Sequence, residues 1–141
     1  TTARGKPYLP GGPQLSLSHT RGAAVVAIGA GCVGVDVERI RPIPESLPQR
    51  VLSRTEYDWF QARGQRAEDF FTLWTLKESY YKYLGTGLPG FPNQTEFRPE
   101  GDGWRLEGAG QRFYVCQKGE LLIALCGDEQ LMGFSWYGSS D

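Results

Sequence analysis

The feature that most constrains this chain is one stretch, Ala67 to Leu84, that contains neither glycine nor proline. Its apolar positions Phe70, Leu73, Trp74, Tyr80, Tyr81 and Leu84 follow a rough 3.6-residue period, which predicts a helix over 67–84 with one face in a core. Gly85 and Gly87 stop it. Ser53-Arg54-Thr55-Glu56 fits a capping box and opens a shorter helix running to Arg63. The rest is turn-rich: 19 glycines and 9 prolines among 141 residues exclude an all-helical bundle.

Short strands are expected on both sides of the helices. Leu15–His19 alternates apolar and polar residues. Ala23–Ile28 and Cys32–Glu38 flank Gly29-Ala30-Gly31 and read as a hairpin. Residues 41–48 hold three prolines and read as a loop. Gln94–Arg98, Gly103–Glu107, Arg112–Gln117, Glu120–Cys126 and Met132–Tyr137 form the strands of an antiparallel meander. Strands, then helices, then strands indicate an α+β class: an antiparallel sheet packed against one long and one shorter helix. The length suits one domain over 1–141, with an extended lead-in at 1–14, a motif-bearing region at 15–88 and strands from 89 to 141.

Net charge is -1, which gives no case for nucleic acid or for an anionic membrane surface. Residues 1–54 nevertheless carry seven Lys and Arg against three Asp and Glu, a basic first third suited to an anionic ligand or an acidic partner. Cys32, Cys116 and Cys126 are odd in number and lack C-x-x-C spacing, so neither a zinc site nor a disulfide framework is expected. All three lie in apolar runs, as buried free thiols would in a reducing cytoplasm. There is no signal-peptide pattern and no apolar stretch long enough to span a bilayer.

Asp36 and Glu38 lie two apart on an expected strand, which puts both carboxylates on one face and sends Val35 and Val37 to the other. Adjacent carboxylates repel unless a cation lies between them, and Mg²⁺ takes a few carboxylates together with waters and phosphate oxygens. An exposed acidic strand edge has the same pattern. Glu78 and Lys82 are i, i+4 on the long helix and share a face with Trp74, with Phe71 and Tyr81 nearby. They form either a surface ion pair or, with Glu78 facing Asp36 and Glu38, a third carboxylate and a phosphate-reaching ammonium. His19, the one histidine, sits in Ser18-His19-Thr20 before Arg21, a composition suited to phosphate as well as to a structural role. Lys6 adds a cation in a loop stiffened by Pro7.

Gly5-Lys6-Pro7, Leu17-Ser18-His19-Thr20, Gly34-Val35-Asp36-Val37-Glu38 and Trp74-Thr75-Leu76-Lys77-Glu78-Ser79-Tyr80-Tyr81-Lys82 resemble, in order and spacing, the motifs of the 4'-phosphopantetheinyl transferases. The similarity is to the surfactin-synthetase-activating type, covers residues 5–88 and matches only its second half. It implies an enzyme that moves the phosphopantetheine arm of coenzyme A to a serine of an acyl or peptidyl carrier protein, releasing 3',5'-ADP, with Mg²⁺ as cofactor. By the same resemblance Asp36, Glu38 and Glu78 hold Mg²⁺, and Glu78, directly or through water, deprotonates the carrier serine. Lys82 neutralises the leaving 3',5'-ADP, and Lys6, Pro7, Ser18 and His19 hold the 3'-phosphate and adenosine end. Arg39, Arg41, Arg50 and Arg54 are expected to help dock an acidic carrier. In the longer type two similar halves pack together around coenzyme A. This chain is therefore expected to self-associate or to need a partner half. Two rival readings are a binding half-domain inactive alone and a magnesium-dependent phosphoanhydride hydrolase.

Overall fold

The computed structural model describes residues 14–86 and 92–128. Lys6, Pro7, Gly87 and the expected strand Met132–Tyr137 lie outside them. The described strands are β1 (Gln14–Thr20), β2 (Ala23–Gly29), β3 (Val33–Arg39), β4 (Phe97–Glu100), β5 (Gly103–Leu106), β6 (Arg112–Lys118) and β7 (Leu121–Gly127). The helices are α1 (Leu47–Val51), α2 (Arg54–Ala62) and α3 (Ala67–Leu84), with a 3₁₀ turn at Pro92–Gln94.

Among the described residues every strand pair is antiparallel, but the strands form three small sheets rather than one: β1-β2, β3-β7-β6 and β4-β5. The expected hairpin around Gly29–Gly31 does not form. β2 turns back on β1 through Gly22, whose φ of 81° suits a glycine, and β3 pairs instead with the distant β7. Local turn composition marks where a chain reverses, and the choice of partner is made by the apolar faces that must be covered.

α3 spans the expected 67–84 and is capped by Gly85 in the left-handed conformation, φ 76°. α2 has the full capping box: Ser53 Oγ accepts from the Glu56 N–H and Glu56 accepts from the Ser53 N–H. The proline loop ends earlier than expected, because Pro48 occupies the first turn of α1, where its missing N–H costs nothing.

α3 lies on one face of the central sheet. Phe70, Phe71, Leu73 and Leu76 from α3 meet Leu122, Ala124 and Cys126 from β7, with Phe60, Phe97, Leu106 and Phe113 closing the core. Each buried Leu or Phe side chain here contributes about 1.5–3 kcal/mol. The opposite sheet face, Val35, Val37, Leu121, Ile123 and Leu125, is covered by Ala23, Val25 and Ala27 of β2. Among the described residues β3 has β7 on one side only, and its outward N–H groups are met by side chains: Val35 N–H donates to Ser16 Oγ at 3.0 Å and Val37 N–H to Ser18 Oγ at 3.1 Å. The two hydroxyls replace ladder bonds and satisfy that edge.

The three cysteines are free thiols, but only Cys126 is buried. Cys32 is exposed, because it precedes β3 instead of lying within it. Among the described residues no helix is long and apolar enough to cross a membrane.

Candidate functional site

Strand period and helix contact together build the site. In β3 the residues facing α3 are Gly34, Asp36 and Glu38, opposite Cys126, Ala124 and Leu122 of β7. Gly34 sets the depth of the contact. A Cβ there would stand 2.0 Å from the Ser79 carbonyl oxygen and 2.3 Å from the Tyr83 amide nitrogen, so only glycine lets the α3 backbone come this close. Glu78 and Lys82, each one residue before those contacts, are thereby brought beside Asp36.

Asp36 is buried, 4% exposed. Its Oδ1 accepts from Ser18 Oγ at 3.0 Å and from Lys82 Nζ at 2.8 Å. Its Oδ2 is buried without a hydrogen-bond partner among the described residues. Burial pushes the Asp36 carboxyl up to about 6, opposed by Lys82 and aided by Glu38. Burial also raises Glu78, to about 7, and the charges of Asp36 and Glu38 add to the rise while Lys82 opposes it. The charges of Glu38 on Asp36, and of Asp36 and Glu38 on Glu78, thus act in the same direction. Glu38 accepts from Trp74 Nε1 at 2.9 Å on Oε1 and from Arg41 Nη1 at 3.2 Å on Oε2.

A buried oxygen without a donor, in a cluster of three carboxylates against two cations, fits a hard divalent ion, whose ligands are oxygens of this kind. The cluster is not a closed cage: among the described residues no three His, Cys, Asp or Glu side chains are drawn into metal-ligating range. Lys82 and Arg41 hold two of the carboxylates by other contacts.

Several expected roles shift. Ser18 is not open toward a phosphate: its hydroxyl is spent between Asp36 and the Val37 N–H, so it orients Asp36. His19 alternates to the other face of β1, exposed, beside Leu17 and away from the carboxylates. Lys82, expected at the leaving group, is ion-paired with Asp36. Arg39 and Arg41 are engaged within the chain, by the Arg21 carbonyl and by Glu38, and Arg54 pairs with Asp58 on the surface at 3.3 Å.

Sequence reasoning gave no role to the buried pair Lys77–Glu56. Lys77 Nζ lies 2.8 Å from Glu56 Oε1, with the two side chains 1% and 0% exposed, and also donates to the carbonyls of Pro92 and Thr95. Glu56 Oε2 accepts from the Phe97 N–H at 2.7 Å. The signal was there: Phe70, Trp74, Lys77 and Tyr81 fall at helical spacing, which puts Lys77 on the apolar side. The cap at Ser53 already accounts for Glu56 in the sequence, so nothing there points to a second partner.

A family model for the 4'-phosphopantetheinyl transferase superfamily matches residues 32–126, which include Asp36, Glu38, Glu78 and Lys82. The chain belongs to this superfamily. It is 37% identical over 86 residues to 4'-phosphopantetheinyl transferase gsp of Aneurinibacillus migulanus, covering 60% of this chain and 36% of that protein. It is 33% identical over 92 residues to 4'-phosphopantetheinyl transferase Sfp of Bacillus subtilis strain 168, covering 62% of this chain and 41% of Sfp. The match therefore spans about two fifths of the length of these curated relatives. The crystal structure of Thermotoga maritima holo-[acyl-carrier-protein] synthase superposes with a TM-score of 0.58 at 29% identity, over 68% of this chain and 61% of that one. Holo-ACP-synthase from Plasmodium yoelii, at 16% identity and a TM-score of 0.55 over 68% of this chain and 91% of that one, shares the fold.

Proposed function

We propose that this chain carries the chemistry of a Mg²⁺-dependent 4'-phosphopantetheinyl transferase acting on coenzyme A and the serine of an acyl or peptidyl carrier protein. The observation behind this reading is the convergence of Asp36, Glu38, Glu78 and Lys82 where Gly34 admits α3 to β3, with Asp36 Oδ2 left unpartnered. Asp36, Glu38 and Glu78 would hold the ion. When bound, it supplies charge neutralisation at the pyrophosphate. The carrier serine oxygen forms a bond to the pantetheine-side phosphorus, and the bond from that phosphorus to 3',5'-ADP breaks. The serine proton passes to Glu78, directly or through a water. Lys82, already at the rim of the cluster, turns from Asp36 to the leaving group. Phosphoryl transfer needs such positioning and charge more than covalent help.

The rest of the site would come from a second copy of this chain or from a partner half. β1 and β2 present Leu17, Val26 and Ile28 outward at 53%, 55% and 63% exposure. Leu17 faces Val26 across the hairpin and His19 faces Ala24, so His19 lies at the end of this apolar strip. We place coenzyme A's adenosine end at the rim of that contact, with His19. A cytoplasmic location accords with the free thiols.

The test is incubation of the purified chain with an apo carrier protein, coenzyme A and Mg²⁺, read by mass spectrometry and by solution mass. A carrier heavier by one phosphopantetheine, lost in Asp36→Asn, is expected, and association should weaken in Leu17→Glu/Val26→Glu. An associated chain that binds coenzyme A and modifies no carrier would support the binding half-domain instead. Release of 3',5'-ADP without carrier would support the hydrolase.

A further inference from the structure

Glu38 differs from the other two carboxylates in how it is held. Its two oxygens are taken by donors of different kinds. Trp74 supplies a neutral indole N–H at 2.9 Å, from a ring fixed by stacking on Phe70, with centroids 6.2 Å apart and planes 29° apart. Arg41 supplies a charged guanidinium at 3.2 Å. That guanidinium is itself anchored, donating to the Arg39 carbonyl at 2.9 Å and lying 4.5 Å above the centre of the Phe71 ring.

These donors have opposite consequences for a cation. An indole N–H brings no net charge and only fixes the direction of the carboxylate. Each carboxylate oxygen has room for two partners, so Oε1 can keep Trp74 and still face an ion. A guanidinium is always charged and sits where it repels an incoming divalent ion. It also occupies Oε2, the oxygen that Trp74 leaves open.

We propose that Trp74 is a positioning residue that aims Glu38 at the cation site, and that Arg41 is a resident counter-cation that a bound divalent ion must displace from Glu38. This rests on the reading of the carboxylate cluster as a divalent-cation site. Arg41 then holds Glu38 against its neighbouring carboxylates while no ion is bound. Entry of the ion exchanges a single positive charge on Glu38 for a double one and frees the guanidinium toward solvent, where its side chain is already half-exposed.

The signs separate this from a general structural role. Loss of the indole N–H in Trp74→Phe, which keeps an aromatic ring against Phe70, should weaken Mg²⁺ or Mn²⁺ binding about tenfold, as loss of a partner behind a metal ligand commonly does. Arg41→Gln should tighten it, by a few-fold, since the ion no longer has to displace a guanidinium from Glu38. Both effects should vanish when the same substitutions are made in Glu38→Gln, because both act through that carboxylate.

The experiment is calorimetric titration of the full chain with Mg²⁺ and with Mn²⁺, without coenzyme A or carrier, on the wild type, the two single variants and their Glu38→Gln combinations. Thermal melts check folding. The ¹⁵N-labelled indole N–H resonance of Trp74, identified by its absence in Trp74→Phe, should shift when Mg²⁺ is added to the wild type. Opposite changes in affinity, both abolished by Glu38→Gln, would establish the roles. Weakening in both variants, or wild-type affinity in both, would overturn them while leaving the cation site standing. A wild type that binds neither ion would overturn the site and this inference together. Should Trp74→Phe not fold, the Arg41 arm and its Glu38→Gln cycle decide the outcome.

Discussion

Two groups of buried charge hang from adjacent residues of α3, and they are built on opposite terms. Lys77 and Glu56 form a closed set. The ammonium has three acceptors for its three protons, and Glu56 takes the Ser53 and Phe97 N–H groups besides Lys77. Burial lowers the Lys77 ammonium from its ordinary range, and the Glu56 charge opposes this. Glu78, the next residue, belongs to an open set in which three carboxylates face two cations and a buried oxygen of Asp36 has no donor. The closed set ties α2, α3 and the turn before β4 together and has no valence to spare. The open set is incomplete by its own chemistry. In one core, a satisfied cluster marks a support and an unsatisfied one marks a place for something else.

The contrast can be broken most forcefully at Lys77. Lys77→Met leaves the Glu56 carboxylate buried without its cation and should cost about 3–5 kcal/mol. Urea unfolding checks this, and a loss under 1 kcal/mol would remove the distinction between the clusters. Asp36→Asn, by contrast, should leave the ion-free chain as stable as the wild type or more so, because it removes a repelling charge, while transfer falls at least a hundredfold, about 2.7 kcal/mol. A destabilisation as large as that of Lys77→Met would make Asp36 a support as well.

A smaller effect is expected from pH. Asp36 and Glu78 keep their protons to about 6 and about 7 in the folded chain, against 3.8 and 4.5 ordinarily. The folded state therefore binds more protons than the unfolded one in that window, and stability falls as pH rises through it. Between pH 5 and 8 the ion-free chain should lose roughly 2–4 kcal/mol from this source. Saturating Mg²⁺, which takes the ionised carboxylates, should reverse the slope. Thermal melts with and without Mg²⁺ test this, and Asp36→Asn/Glu78→Gln should flatten both profiles. An unchanged slope in that double variant would assign the pH dependence elsewhere. The smallest effect belongs to the surface pair Arg54–Asp58, with side chains 88% and 60% exposed. Arg54→Ala should change stability by no more than about 0.5 kcal/mol.

Much of this was legible in one dimension. The bounds of α3, the capping box of α2 and the common face of Asp36 and Glu38 all follow from periods of 3.6 and 2, and from caps, which are local properties of a backbone. What failed was non-local. The residues around Gly29–Gly31 read as a turn between paired strands, yet β3 pairs with β7, nearly ninety positions on, because its two faces need α3 on one side and β2 on the other. Ser18 reads as a phosphate ligand until β1 is laid along the edge of β3, where the nearest unmet groups are the Val37 N–H and Asp36.

The sequence by itself determined which side chains carry charge, which of them share a face, and where the helices begin and end, since those depend on spacing along one chain. Only the tertiary structure decided which charges meet. Gly34 has no side chain from which to read its purpose, and its meaning is the α3 backbone pressed against it. Lys77 and Glu78 differ by one position in the sequence, about 100° around the helix. That rotation, set by how α3 rolls onto the sheet, sends one to a closed cluster and the other to an open one.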